Sequence, residues 1–330
     1  VRYVIWHETL LSFPKPVREH QCELRLVPRS DEGQRVVAAE IKVVPEAHLG
    51  GYLDCFGNRV STMSLVTPHD TLSVVLDAEV ETRLANPFDY APVTPAQEAE
   101  WIASELRRDP RLWDFSVHRS DSVPELADLE KKPGFPAHDA RAGIVASMQA
   151  IMEWAADTFQ YEAGATVVHA PLAEFFEKGA GVCQDFAHLL VAVARSSGIP
   201  ARYAMGYLDP GYAERDDEDD AEHDDHEHES EQEHEVAVEG DPAGATHAWA
   251  EVLVPGAGWR GFDPIQRLMV NDTYVTVAVG RDSRDAAPLR GSFKGDAGGE
   301  SPRVRLRVSR QQAQMQTQDQ EQQRQRQQQQ

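Results

Sequence analysis

The chain has 330 residues, room for two modest domains and a tail, and its 55 Asp and Glu against 32 Lys and Arg leave a formal net charge of −23. So acidic a body argues against nucleic-acid binding, which needs basic patches. Three cysteines, Cys22, Cys55 and Cys183, give no disulfide framework. No stretch reads as a leader or approaches transmembrane length, so the expectation is a soluble, cytoplasmic protein with no membrane partner.

Residues 1–85 read as a β-rich N-terminal domain. Cys22, Leu24 and Leu26 alternate with Gln21, Glu23 and Arg25, and Ala39, Ile41 and Val43 alternate with Glu40 and Lys42. Leu72, Val74, Leu76, Ala78 and Val80 share one face. This period of two marks half-buried strands. Gly57-Asn58 marks a hairpin turn. Cys22 and Cys55 are expected to be structural, and His7, His20, His48 and His69 to be surface residues.

Residues 86–138 read as a linker with a helical segment. Thr94-Pro95-Ala96-Gln97 supplies an N-cap, a proline in the first turn and a glutamine closing a capping box, for a helix to about Leu106. Residues 109–138, rich in Pro, Asp and Ser, read as irregular, with room for one short helix. The core is taken as 139–310. Asp139 is placed to cap a helix whose Ile144, Met148, Ile151 and Ala155 form a buried stripe. A short helix follows at about Leu172–Glu177.

The chemistry lies further on. Gly179-Ala180-Gly181-Val182 delivers Cys183 to the first turn of an apolar helix, which Gly198 and Pro200 stop. A helix start favours a thiolate and presents the Cys183 N–H to a developing oxyanion. Thr246 to Val252 reads as a strand with His247 near its start. Trp259 to Asp263 reads as the next strand, after the turn Pro255-Gly256-Ala257-Gly258. A tight hairpin is able to set His247 beside Asp263, so that a Cys nucleophile, a His base and an orienting carboxylate form a thiol triad.

The blocks GVCQDFAHLL, GIPARYAMGY, HAWAEVLVPGAGWRGFDP and VAVGRD, in that order, resemble the bacterial transglutaminase-like proteins of the papain-like thiol superfamily. The resemblance covers about residues 139–290, and residues 1–85 are similar to the β-rich domain that accompanies many such cores. It implies an α+β fold in which the nucleophile helix packs on an antiparallel sheet, and it places the family's Cys, His and Asp on Cys183, His247 and Asp263. The implied reaction forms a Cys183 thioester from a carboxamide or peptide carbonyl of a protein or peptide. The acyl group then passes to an amine acceptor or to water, without metal or organic cofactor. A cysteine amidase or peptidase, and a non-catalytic binding module on the same fold, are the alternatives.

Cys183 is one expected oxyanion donor. Gln160 or Tyr161 is a candidate for the second, with packing as the alternative for the aromatic ring. Gln184, Trp249 and Trp259 are candidate cleft residues, packing being the default for both tryptophans. Asp185 is expected to cap the helix. His188, at i+5 from Cys183, points to another face and is a poor base. Arg281-Asp282 reads as a structural ion pair.

The chain departs from its relatives at an acidic insert, residues 212–242, with His223, His226, His228 and His234 among carboxylates. Residues 214–235 alone hold fourteen acids and one Arg. With few apolar residues and no zinc-ligand spacing, the insert is expected to be disordered. The same holds for the Gln-rich tail, 311–330.

Overall fold

The computed structural model describes residues 1–126, 129, 134–136, 138–209, 211, 233–239, 246–299 and 301–311. The strands of the N-terminal region are β1 (Arg2–Leu24), β2 (Gln34–Val44), β3 (Leu49–Leu53), β4 (Arg59–Leu65) and β5 (His69–Thr82). Then come α1 (Pro95–Arg108), α2 (Asp114–Val117), α3 (Ile144–Thr158), β6 (Gln160–Tyr161), α4 (Leu172–Lys178), β7 (Ala180–Gly181) and α5 (Cys183–Ser196). The chain continues through β8 (Ala201–Leu208), β9 (Glu233–Glu239), β10 (His247–Val254), β11 (Gly258–Asp263), β12 (Leu268–Met269), β13 (Tyr274–Gly280), β14 (Leu289–Lys294) and β15 (Ser301–Gln311). The architecture is the expected α+β one, with a β-rich N-terminal part and a mixed core.

β1 organises the larger, eight-stranded sheet. Tyr3, Ile5, His7, Thr9, Leu11 and Phe13 all point inward, as period-two burial requires. The first half of β1 pairs with β5 and β15, and its second half with β4 and β14. The ladders break between Ser12 and Val17, where Pro14 and Pro16 lack the N–H a ladder needs.

Three expectations about this region are corrected. First, β14 and β15 do not belong to a core ending at 310. They join the N-terminal sheet, with Gln311 opposite Arg2 and Ser301 opposite Ser12. Second, the insert is not wholly outside the fold, because Glu233–Glu239 is an edge strand on β15. Its register sets Glu239 opposite Arg303 and Glu235 opposite Arg307. His223, His226 and His228, and the tail from 312, lie outside the described residues. Third, His7, His20 and His69 are buried, each held by a hydrogen bond, while His48 is exposed. Cys22 is buried as expected, but Cys55 is exposed, in the turn between β3 and β4.

The smaller sheet is antiparallel and five-stranded, in the order β12–β11–β10–β8–β13. Buried side chains of α3 and α5, among them Ile151, Leu189 and Val193, pack with Ala201, Ala250 and Val252 of this sheet. α1 begins under the expected Thr94–Gln97 box. α3, however, starts at Ile144 rather than under Asp139. Gly143 turns the chain at φ +89°, and Glu98 of α1 accepts the Ile144 N–H at 2.9 Å.

The two sheets share one core, in which Tyr203, Met205, Tyr207 and Val275 cluster with Tyr3, Ile5, Leu76 and Val80. Two side-chain amides of the N-terminal region also bond the backbone of edge strand β13. Gln34 accepts from the Thr276 N–H and donates to its carbonyl, both at 2.7 Å. Asn58 does the same to Val279, at 2.9 and 2.7 Å. Together they stand in for a neighbouring strand and hold the N-terminal region against the sheet that carries the site.

Candidate active site

The turn before α5 is built around Gly181. A Cβ there would lie 2.5 Å from the Phe175 ring and 2.6 Å from Asp185 Oδ2. Asp185 Oδ2 accepts the Val182 N–H at 2.9 Å and the Thr166 hydroxyl at 2.5 Å, the capping role expected of it. Burial pushes this carboxyl up, against the pull of those two bonds. The cap leaves Cys183 as the first helical residue, half-buried, with an N–H that has no partner within the helix.

β10 and β11 form the expected hairpin, with Ala250 opposite Phe262. His247 Nε2 donates to Asp263 Oδ2 at 2.6 Å. Asp263 is fully buried. The Tyr274 hydroxyl donates to the same Oδ2 at 2.7 Å, and Oδ1 accepts the N–H groups of Ile265 at 2.9 Å and Gln266 at 3.4 Å. With Nε2 committed to Asp263, Nδ1 is the ring nitrogen left free to serve Cys183, which acts on this imidazole from α5. Burial alone would push this imidazole down. The charge and hydrogen bond of Asp263 outweigh it, Cys183 adds in the same sense, and His247 is pushed up to about 10. An imidazole bridging a thiol and a carboxylate is able to take the thiol proton and later return it to a leaving amine.

A profile of the transglutaminase-like superfamily matches residues 138–264, and one of the bacterial transglutaminase-like N-terminal region matches residues 3–81. The core belongs to the transglutaminase-like superfamily. The chain is 28% identical to an uncharacterized Mycobacterium leprae protein over 297 residues, 89% of this chain and 94% of the relative. It is 27% identical to an uncharacterized Mycobacterium tuberculosis protein, over 88% of this chain and 87% of the relative. A candidate cysteine protease of Cytophaga hutchinsonii shares the fold, with a TM-score of 0.57 at 18% identity over 94% of this chain and 91% of that one.

Other expected residues of the transglutaminase-like core fall in different places. Gln160 and Tyr161 are exposed and run parallel to Ala180 and Gly181, one strand away from the turn that delivers Cys183. Gln184 is buried beside Cys183, with its Nε2 unpartnered among the described residues. Trp249 is fully buried, its ring stacked at 6.3 Å from that of His247 and edge-on to Tyr274 at 5.2 Å. Trp259 lies at the other end of the hairpin, opposite Leu253, with the Arg202 guanidinium 4.2 Å over its ring. It packs there with Phe115, so its cleft assignment is corrected to packing.

His188 is buried and accepts the Ser283 N–H at 3.1 Å, and burial holds its imidazole far down, in keeping with its rejection as a base. Arg281 does not pair with Asp282. It binds Asp285 at 2.7 Å, while Asp282 accepts the Arg284 N–H at 3.0 Å and faces His118 at 3.6 Å.

Tyr274 and Gly206 were not singled out from the sequence. Gly206 lies opposite His247, and a Cβ on it would fall 1.9 Å from the Val275 carbonyl oxygen and 3.0 Å from the Trp249 ring. No helix among the described residues is long and apolar enough to cross a membrane.

Proposed function

We propose that the protein is a thiol acyltransferase in which Cys183 is the nucleophile, His247 the acid–base group and Asp263 the residue that orients it. The observation that carries this reading is the bridging imidazole: His247 bonds Asp263 at 2.6 Å through Nε2 and keeps its other nitrogen for Cys183. The Cys183 proton passes to His247, and the sulfur attacks the carbonyl carbon of a carboxamide or peptide bond. The oxyanion is received by the Cys183 N–H and a second donor, for which Gln160 or Tyr161 is proposed. The C–N bond breaks as His247 protonates the departing ammonia or amine, leaving a thioester. An incoming amine then attacks the thioester, gives its proton to His247 and expels the sulfur as a new amide forms. Water in its place yields a carboxylate.

The proposed substrates are protein or peptide carboxamides, with primary amines as acceptors and no metal or organic cofactor. A cytoplasmic, reducing setting fits three cysteines that are all free. The test is incubation with a carboxamide-peptide library, with and without a primary amine, read by mass spectrometry. Amine adducts that vanish in Cys183→Ala are the expected result. Carboxylate products alone would make the protein an amidase or peptidase. No Cys183-dependent product would make it a binding module.

A further inference from the structure

Every acceptor direction of the Asp263 carboxylate is in use. Oδ1 takes two backbone N–H groups from the turn after β11, and Oδ2 takes the His247 N–H at 2.6 Å and the Tyr274 hydroxyl at 2.7 Å. A carboxylate oxygen offers about two lone-pair directions. Oδ2 is therefore saturated, and the imidazole and the phenol draw on the same electron density.

We propose that Tyr274 is a positioning residue of this site, whose hydroxyl shares Asp263 Oδ2 with His247 and so fixes the carboxylate's direction and limits its hold on the imidazolium. This rests on the reading of Cys183, His247 and Asp263 given above. Tyr274 comes from β13 and Asp263 from β11, with β10 and β8 between them in the sheet order, so the bond reaches across the end of the sheet. The tyrosine is buried, and its ring is wedged against Trp249, which in turn stacks on His247. Gly206, on the strand between β10 and β13, leaves no room for a side chain beneath that stack.

The titratable groups acting on His247 are Asp263 from β11 and Cys183 from α5, and the Tyr274 ring faces it at 6.3 Å. A second donor on Oδ2 stabilises the carboxylate on its own, so less of its charge is available to the imidazolium. Removing that donor strengthens the remaining bond. A tyrosine that merely filled space would leave the imidazole's proton affinity unchanged when only its hydroxyl is lost.

The test is Tyr274→Phe in the full chain, with His247 followed by NMR of 13C-labelled histidine and its resonance identified by its absence in His247→Ala. The expected result is an upward move of the His247 midpoint by about half a pH unit or more, with the His7 and His188 resonances unmoved. A midpoint that stays or falls would overturn the proposal. Should the phenylalanine variant fail to fold, 3-fluorotyrosine at position 274 makes the hydroxyl a stronger donor, and the midpoint must then move down; no movement, or an upward one, overturns the proposal as well. The titration needs no substrate, so its result stands apart from the fate of the proposed reaction.

Discussion

His7, in the N-terminal sheet, is fully buried between two hydroxyls, with Nδ1 3.0 Å from Tyr207 and Nε2 3.0 Å from Thr9. His247, in the core sheet, has a thiol on one side and a carboxylate on the other. Burial pushes His7 down to about 4. It also pushes down His20, which is bonded to His69 at 3.1 Å, again to about 4. His247 goes the other way, to about 10, because Asp263 outweighs the same burial penalty. Burial makes a histidine neutral, and the charge of its partner decides whether that holds. The N-terminal region uses histidine as a packing residue with two hydrogen-bonding ends, and the core uses it to hold a proton beside a sulfur.

Removing the one charge that separates the two cases breaks the comparison most sharply. Asp263→Asn keeps the shape and should retain the fold, as checked by circular dichroism. Its turnover should fall by about 10³- to 10⁴-fold, because an amide both loses the charge and favours the wrong tautomer. Near wild-type turnover in a folded variant would show that another group orients His247.

The pH dependence of stability sharpens the contrast, since the two histidines act on opposite flanks. For His7 the folded value lies below the unfolded one, so its contribution is present above about 6.5 and is lost as pH falls towards 4. That contribution amounts to roughly 3 kcal/mol at most. For His247 the folded value is raised, so its contribution is present below about 6.5 and is lost as pH rises through 10. Urea melts across pH should show His7→Gln flattening the acid flank and His247→Gln the alkaline one. An acid flank unaltered by His7→Gln would mean that other groups carry it.

A smaller effect tests how the two regions are joined. Asn58→Ala leaves the Val279 N–H and carbonyl unpaired in a buried setting, at a cost of about 2–3 kcal/mol, while Cys183, His247 and Asp263 keep their places. A denaturation midpoint like that of the wild type would mean that water fills in for the amide.

The smallest expected effect concerns the insert. Replacing residues 212–232 by a short Gly/Ser linker should shift stability by well under 1 kcal/mol, since closure entropy varies slowly with loop length. Extending the deletion through Glu239 also removes the β9 ladder on β15 and should lower the melting temperature measurably. Identical melts for the two deletions would show that the strand adds nothing.

What was legible in the sequence follows from how local each signal is. The α1 capping box, the glycine turn before Cys183 and the hairpin between His247 and Asp263 are written within a few consecutive residues, and all are found as read. The pairing of β15 with β1 joins residues some 300 positions apart, and no local pattern announces it. β9 was hidden by composition: Val236, Ala237 and Val238 are a short apolar run beside a long acidic one. The buried histidines were misjudged because a polar residue is exposed by default, and only the fold brings a hydroxyl or a second imidazole to meet it. Tyr274 escaped for the same reason, since its partner lies in a different strand of the sheet.

Competitive alkylation of the native protein tests the central claim most directly. Cys55 is exposed, Cys183 half-buried and Cys22 buried, so accessibility alone would put Cys55 first. Burial and the charge of Asp54 push the Cys55 thiol up, whereas Cys183 stands at a helix start beside an imidazole held charged. With limiting iodoacetamide near neutral pH and mass spectrometry at each cysteine, Cys183 should be modified faster than Cys55 by about tenfold or more, and His247→Ala should abolish that lead. Cys55 reacting as fast as Cys183, or faster, would contradict the assignment of Cys183 as an activated nucleophile.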